Sequence, residues 1–166
     1  DLEDFDKFAR SIERTYNKLY IIFENYRTLL NESLVGKPNL KALNDLNREM
    51  LPKISSIREE LQNDILNTKD KNYTDIQNTI FVYLNQLESD ISTILIKKPE
   101  NILEYENELI NFSPQIFNDI FNSVQNNTNL LFEELDKDGN PLRNFENTLS
   151  FDREEIDNES HSEISE

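Results

Sequence analysis

The sequence predicts an all-α fold, an antiparallel up-down bundle of about four long helices with an acidic C-terminal tail. Three observations predict it. Apolar residues recur at three- and four-residue steps through most of the chain. Only two glycines and five prolines punctuate 166 residues, and they fall where helix ends belong. No segment carries a strand signal.

The first helix is expected over 2–35. Phe5, Phe8, Ile12, Tyr16, Leu19, Phe23, Tyr26 and Leu30 mark its buried stripe, and Gly36 with Pro38 ends it. The second is expected over 39–67, striped by Leu40, Leu43, Leu46, Met50, Ile54, Ile57, Leu61 and Ile65. Pro52 lies inside it. The ring removes a backbone donor and disfavours helical geometry at Leu51, so a kink or two shorter helices are expected there.

After the charged turn Lys69-Asp70-Lys71-Asn72, the third helix is expected to open on a capping box, Thr74 with Gln77. Ile76, Ile80, Leu84, Leu87, Ile91 and Ile94 form its stripe. Lys97 and Lys98 suit the negative end of its dipole, and Pro99 closes it. The fourth segment is expected to be split. A short helix over 100–111 precedes Ser113-Pro114, which reads as a cap followed by proline at the first helical position. The second piece is expected to continue to about Lys137 through Phe117, Ile120, Phe121, Val124, Leu131 and Leu135, weakened in its middle by the Asn-rich stretch 125–129.

These boundaries divide the chain into a helical bundle, 1–138, and a largely disordered tail, 139–166. From Asp138 to the end, nine carboxylates face two arginines.

Composition sets further limits. Hydrophobic residues make up 36% and charged residues 30%, which predicts a narrow core. With 23 asparagines and two alanines, the helices are weak alone and depend on packing. A net charge of -16 repels nucleic acid and anionic lipid and attracts a basic partner surface. The chain has no cysteine, which excludes disulfides and thiolate chemistry. That fits an intracellular compartment slightly better, and an exported bacterial protein also. No apolar run reaches the length of a membrane span. The start at Asp1 rather than Met reads as a processed or excised piece.

Chemistry-bearing constellations are scarce. The one histidine, His161, lies in the tail, where no neighbour holds it in position. A single histidine cannot build the paired Glu-x-x-His motifs of a di-iron bundle. Glu13, Glu24, Glu59, Glu60, Glu104, Glu106 and Glu108 read as solvated faces. Glu134-Leu135-Asp136-Lys137-Asp138-Gly139 has the acid spacing of a calcium loop, but Phe145 falls where the bidentate glutamate belongs. No catalytic residue, metal ligand or cofactor site is expected.

The remaining signals concern binding. Leu19-Tyr20-Ile21-Ile22-Phe23 and Ile80-Phe81-Val82-Tyr83-Leu84 are apolar on every side, since five residues sweep about 500° of helix. Either these are central turns touching two neighbours, or part of each is an interface, with Tyr20, Ile21, Phe81 and Tyr83 as the contact residues. In the tail, Leu142, Phe145, Leu149 and Phe151 recur at near-helical spacing. They either fold back on the bundle or dock into a partner's groove.

The function expected is a non-enzymatic protein–protein interaction module, a subunit or adaptor of a larger complex. Its partner would carry a basic surface or a helical groove, and the same patches allow self-association. One alternative is a self-sufficient exported or surface-anchored helical binding domain. Another is an acidic inhibitor or nucleic-acid mimic. No direct nucleic-acid contact and no membrane span are expected.

Overall fold

Among the described residues of the computed structural model, four long helices carry the chain: α1 (Leu2–Val35), α2 (Leu40–Leu66), α3 (Lys71–Lys97) and α4 (Pro114–Asn127). The structure describes residues 2–35, 39–101, 103–104, 114–135 and 141–143. The all-α bundle follows the predicted periodicity, and α1 and α2 end where the sequence places their ends.

Side-chain ties fix the helix directions. Arg14 and Lys18 of α1 reach Asp64 and Glu60 of α2, so these helices run antiparallel. Phe8 stacks on Tyr73 at 4.5 Å, and Ser11 accepts a hydrogen bond from Gln77 at 3.3 Å, so α3 runs parallel to α1. Phe23 meets Phe117 and Tyr16 meets Phe121, so α4 returns antiparallel to α1.

The core joins the predicted stripes. Phe8, Ile12 and Leu19 of α1, Leu43, Ile54 and Leu61 of α2, and Ile80, Leu84, Leu87 and Ile91 of α3 have no exposed surface. Each such side chain contributes about 1.5–3 kcal/mol when buried. That gain offsets the poor helix propensity of the Asn-rich sequence.

Several expectations are corrected. At Pro52 only the alternative of two shorter helices is overturned: α2 is one helix with Pro52 inside it. Pro52 faces solvent, while Met50 and Ile54 on either side are held in the core, and packing overrides the missing hydrogen bond. The predicted capping box at Thr74 does not form. α3 begins at Lys71, capped by the Asp70 side chain, which accepts from the Asn72 amide at 2.8 Å. Gln77 points inward and is fully buried, and the Thr74 hydroxyl donates to the Lys71 carbonyl instead.

At its other end α3 stops on Lys98 at φ 51°, a left-handed residue usually reserved for glycine, whose amide donates to the Ile94 carbonyl.

The last helix does not reach Lys137. α4 ends at Asn127, where Thr128 turns its hydroxyl back to the Val124 carbonyl at 2.8 Å. The chain then extends. Leu130 and Phe132 are buried, whereas Leu131 between them is 62% exposed, a period of two rather than 3.6.

A strand pair follows, which the sequence reading did not anticipate. β1 (Glu134–Leu135) pairs antiparallel with β2 (Pro141–Arg143), with a bulge-like register shift between Glu134 and Leu135. Pro141–Arg143, which the sequence assigns to the tail, is thereby tied to the end of the bundle. The predicted caps at Gly36 and Ser113, and most of the predicted helix over 100–111, lie outside the described residues.

One polar contact closes the bundle's lower end. The buried Asp4 carboxylate accepts hydrogen bonds from the Lys69 and Asp70 amides at 3.0 and 2.9 Å. These bonds hold its pKa below the ordinary aspartate value.

Candidate functional site

The four helices sit at the corners of a bundle, and their edges differ. α2 packs closely against both α1 and α3. Between α2 and α3, aliphatic side chains interdigitate, and Glu88 takes hydrogen bonds from Ser55 and from Arg58, the latter at 2.6 Å. Partial burial raises the Glu88 pKa, but these two bonds and the Arg58 charge outweigh it, and the net shift is downward.

α4 is attached differently. Phe117, Phe121 and Phe132 surround Tyr16 with ring centroids at 5.3, 5.2 and 4.9 Å, and Phe117 also meets Phe23 at 4.6 Å. This aromatic cluster fastens α4 to α1 and leaves the α3–α4 edge open.

A cleft of about 410 Å³ lies along that edge. Ile76, Ile120 and Val124 form its floor, and Thr79, Ser123 and Asn127 line its sides. Asp75 and Asp119 stand on the rim. Asp75 pairs with Lys71 at 3.0 Å and Asp119 accepts from Gln115 at 3.3 Å, so both carboxylates face solvent beside the opening. Three residues past Thr79, Val82 is 65% exposed and extends an apolar surface along α3.

The predicted contact residues fall in several environments. Tyr20 is half-buried, stacked on Tyr16 at 6.1 Å at the edge of the aromatic cluster. Ile21 is half-buried and lines a smaller cleft between α1 and α2, with Ile22 and Ile57. Phe81 is half-buried beneath the Arg58 guanidinium, 6.0 Å from its ring centre.

Tyr83 is buried in the core. It sits three residues after Ile80 and four before Leu87, on the buried stripe. Its hydroxyl has no hydrogen-bond partner among the described residues, and burial raises its pKa. Leu142 lies in β2, and Phe145, Leu149 and Phe151 lie outside the described residues.

The residue of the second apolar run that does face solvent is Val82. Ile76, Ile120 and Val124 were all on predicted stripes. What single-helix periodicity could not show is that two stripes share an open edge.

Among the described residues, no group of three or more His, Asp or Glu is placed to hold a metal ion, and no helix is long and apolar enough to cross a membrane. Most of the calcium-like loop, and His161, fall outside them. No protein-family model, curated protein or solved structure matches the chain.

Proposed function

We propose that the chain is a non-enzymatic protein–protein interaction module, a subunit or adaptor that holds an amphipathic segment of a partner in the α3–α4 cleft. The observation that carries this reading is the cleft's composition, an apolar floor of Ile76, Ile120 and Val124 beneath the carboxylates of Asp75 and Asp119. An apolar floor takes the hydrophobic face of a helix, and an acidic rim selects basic residues beside that face. The net charge of -16 adds long-range attraction for a basic partner.

The test is a titration with an amphipathic Lys/Leu peptide, followed by methyl NMR. Shifts are expected to concentrate at Ile76, Ile120 and Val124. Reversing the rim with Asp75→Lys and Asp119→Lys should weaken binding by about tenfold or more. Shifts scattered over the whole surface, or an affinity indifferent to the reversal, would sink the reading.

A second reading, a self-sufficient binding domain, draws support from the Asp4 contact and from the filled core shared by all four helices. It expects cooperative unfolding without any partner. A molten, partly helical isolated chain would count against it.

A further inference from the structure

The two helices that flank the α3–α4 cleft carry the same short sequence. Asp75-Ile76-Gln77-Asn78-Thr79-Ile80 on α3 is matched by Asp119-Ile120-Phe121-Asn122-Ser123-Val124 on α4. Aspartate, isoleucine and asparagine coincide, a hydroxyl follows, and a β-branched aliphatic closes each copy. The agreement extends to contacts. The residue four before each aspartate donates to it, Lys71 to Asp75 at 3.0 Å and Gln115 to Asp119 at 3.3 Å. The aromatic two before each aspartate packs on α1, Tyr73 against Phe8 and Phe117 against Phe23. From each copy the cleft takes the aspartate, the isoleucine and the hydroxyl.

α3 and α4 run in opposite directions, so an approximate two-fold axis through the cleft relates the two copies. Each aspartate precedes its isoleucine, which sets Asp75 and Asp119 on opposite walls and at opposite ends. The Phe8–Tyr73 and Ser11–Gln77 contacts put Asp75 level with Ala9 and Arg10 of α1. The Tyr16–Phe121 and Phe23–Phe117 contacts put Asp119 level with Leu19 and Tyr20. The difference is about ten residues of helix, or roughly 15 Å.

The two ends differ in charge. Lys71 brings a cation to Asp75, but both side chains are well exposed, so the pair is weak. Gln115 is neutral, and Asp119 has no ion pair among the described residues.

Resting on the reading of this cleft as a binding site, we infer that its occupant is a single partner helix with two cations on one face, about eleven residues apart, and aliphatic side chains between them. One cation meets each carboxylate, and the aliphatics lie on Ile76, Ile120 and Val124. A step of eleven returns to nearly the same face of a helix and spans about 16 Å, which matches the two ends. A second copy of this chain does not fit. Pairing two such clefts would set carboxylate against carboxylate, in a chain of net charge -16.

The test titrates the full chain with an alanine-based helical peptide. Its lysines stand eleven residues apart, with leucines four and seven residues after the first. A control of the same composition has the second lysine moved two residues on, to the opposite face. The matched peptide is expected to bind about fivefold more tightly than the control. Asp119→Asn should weaken the matched peptide by about fivefold and Asp75→Asn by about twofold, because Lys71 already tempers Asp75. Lys71→Gln makes the α3 wall resemble the α4 wall and should tighten binding by about twofold, a gain that damage to the fold cannot produce. Equal affinity for the two peptides, or no gain in Lys71→Gln, would overturn the two-ended occupant and leave the cleft a binding site. If neither peptide shifts the methyl signals of Ile76, Ile120 and Val124, the binding site itself falls, and the two-ended occupant with it.

Discussion

The α2–α3 edge and the α1–α4 edge are built by different means. On the first, branched aliphatics such as Ile54, Leu84 and Ile91 let two helices approach closely, and the Ser55–Arg58–Glu88 cluster bolts them from outside. On the second, large rings do the work. Phe117, Phe121 and Phe132 grip Tyr16, while α3 and α4 face each other across the cleft lined by Ile76 and Ile120. On the aliphatic edge the two helices pack closely, and Ile54, Leu84 and Ile91 have no exposed surface. The aromatic edge joins α4 to α1 on one side, and a cleft lies on the other. Firm attachment and open surface are compatible because a ring fills depth without requiring the backbones to meet.

The comparison breaks most visibly by removing one residue from each edge. Phe121→Ala should cost about 3–5 kcal/mol and Leu84→Ala about 2–5 kcal/mol in denaturant unfolding. Hydrogen exchange should separate them. Phe121→Ala is expected to raise exchange first in α4 and the extended chain after it, while Leu84→Ala lowers protection throughout α1, α2 and α3. Identical exchange patterns would erase the distinction between the edges.

The external bolt is expected to matter less. Arg58→Ala removes the Glu88 bond and the cover over Phe81, both only partly buried, and should cost about 1 kcal/mol. A loss as large as that of Leu84→Ala would mean that the α2–α3 edge depends on charge rather than on aliphatic packing.

A third comparison is read against pH. Asp4 has a lowered pKa in the folded chain, so its contribution is fully present above the unfolded aspartate value of about 3.9 and is lost as pH falls through the folded value. Glu88 acts with the same sign. Thermal midpoints should therefore drop in acid, and Asp4→Asn should flatten that drop. An unchanged acid slope in Asp4→Asn would remove Asp4 from the account.

The smallest effect is expected at the junction leading out of α3. Lys98→Gly relieves a left-handed side-chain residue and should raise stability by about 0.5 kcal/mol, seen as a higher denaturation midpoint. A loss on this substitution would show that the Lys98 side chain contributes more than its backbone costs.

Much of the fold was legible because stripe and breaker agree. Gly36 and Pro38 follow the stripe of α1 directly, and α2 spans Leu40–Leu66 within one residue of the expected 39–67. The errors arose where two signals competed. Thr74 and Gln77 matched a capping box, yet Gln77 also falls one turn before Ile80 on the core stripe, and burial decided its direction. The segment after Asn127 fitted a helical stripe through Leu131 and Leu135, but the asparagines and Thr128 stop the helix, and Leu130 and Phe132 then set a two-residue alternation. The α3–α4 cleft was not legible at all. It lies between two helices, and the periodicity of one helix carries no information about its distance from another.

The contact between Asp4 and the turn at Lys69 and Asp70 bears on the order of assembly. The α2–α3 hairpin is local in sequence and can form early, but two amides of its turn then still lack the carboxylate, which arrives from 65 and 66 residues away. The arrival of α1 therefore completes the hairpin as well as covering it. The turn between α2 and α3 and the first turn of α1 are therefore coupled through one carboxylate.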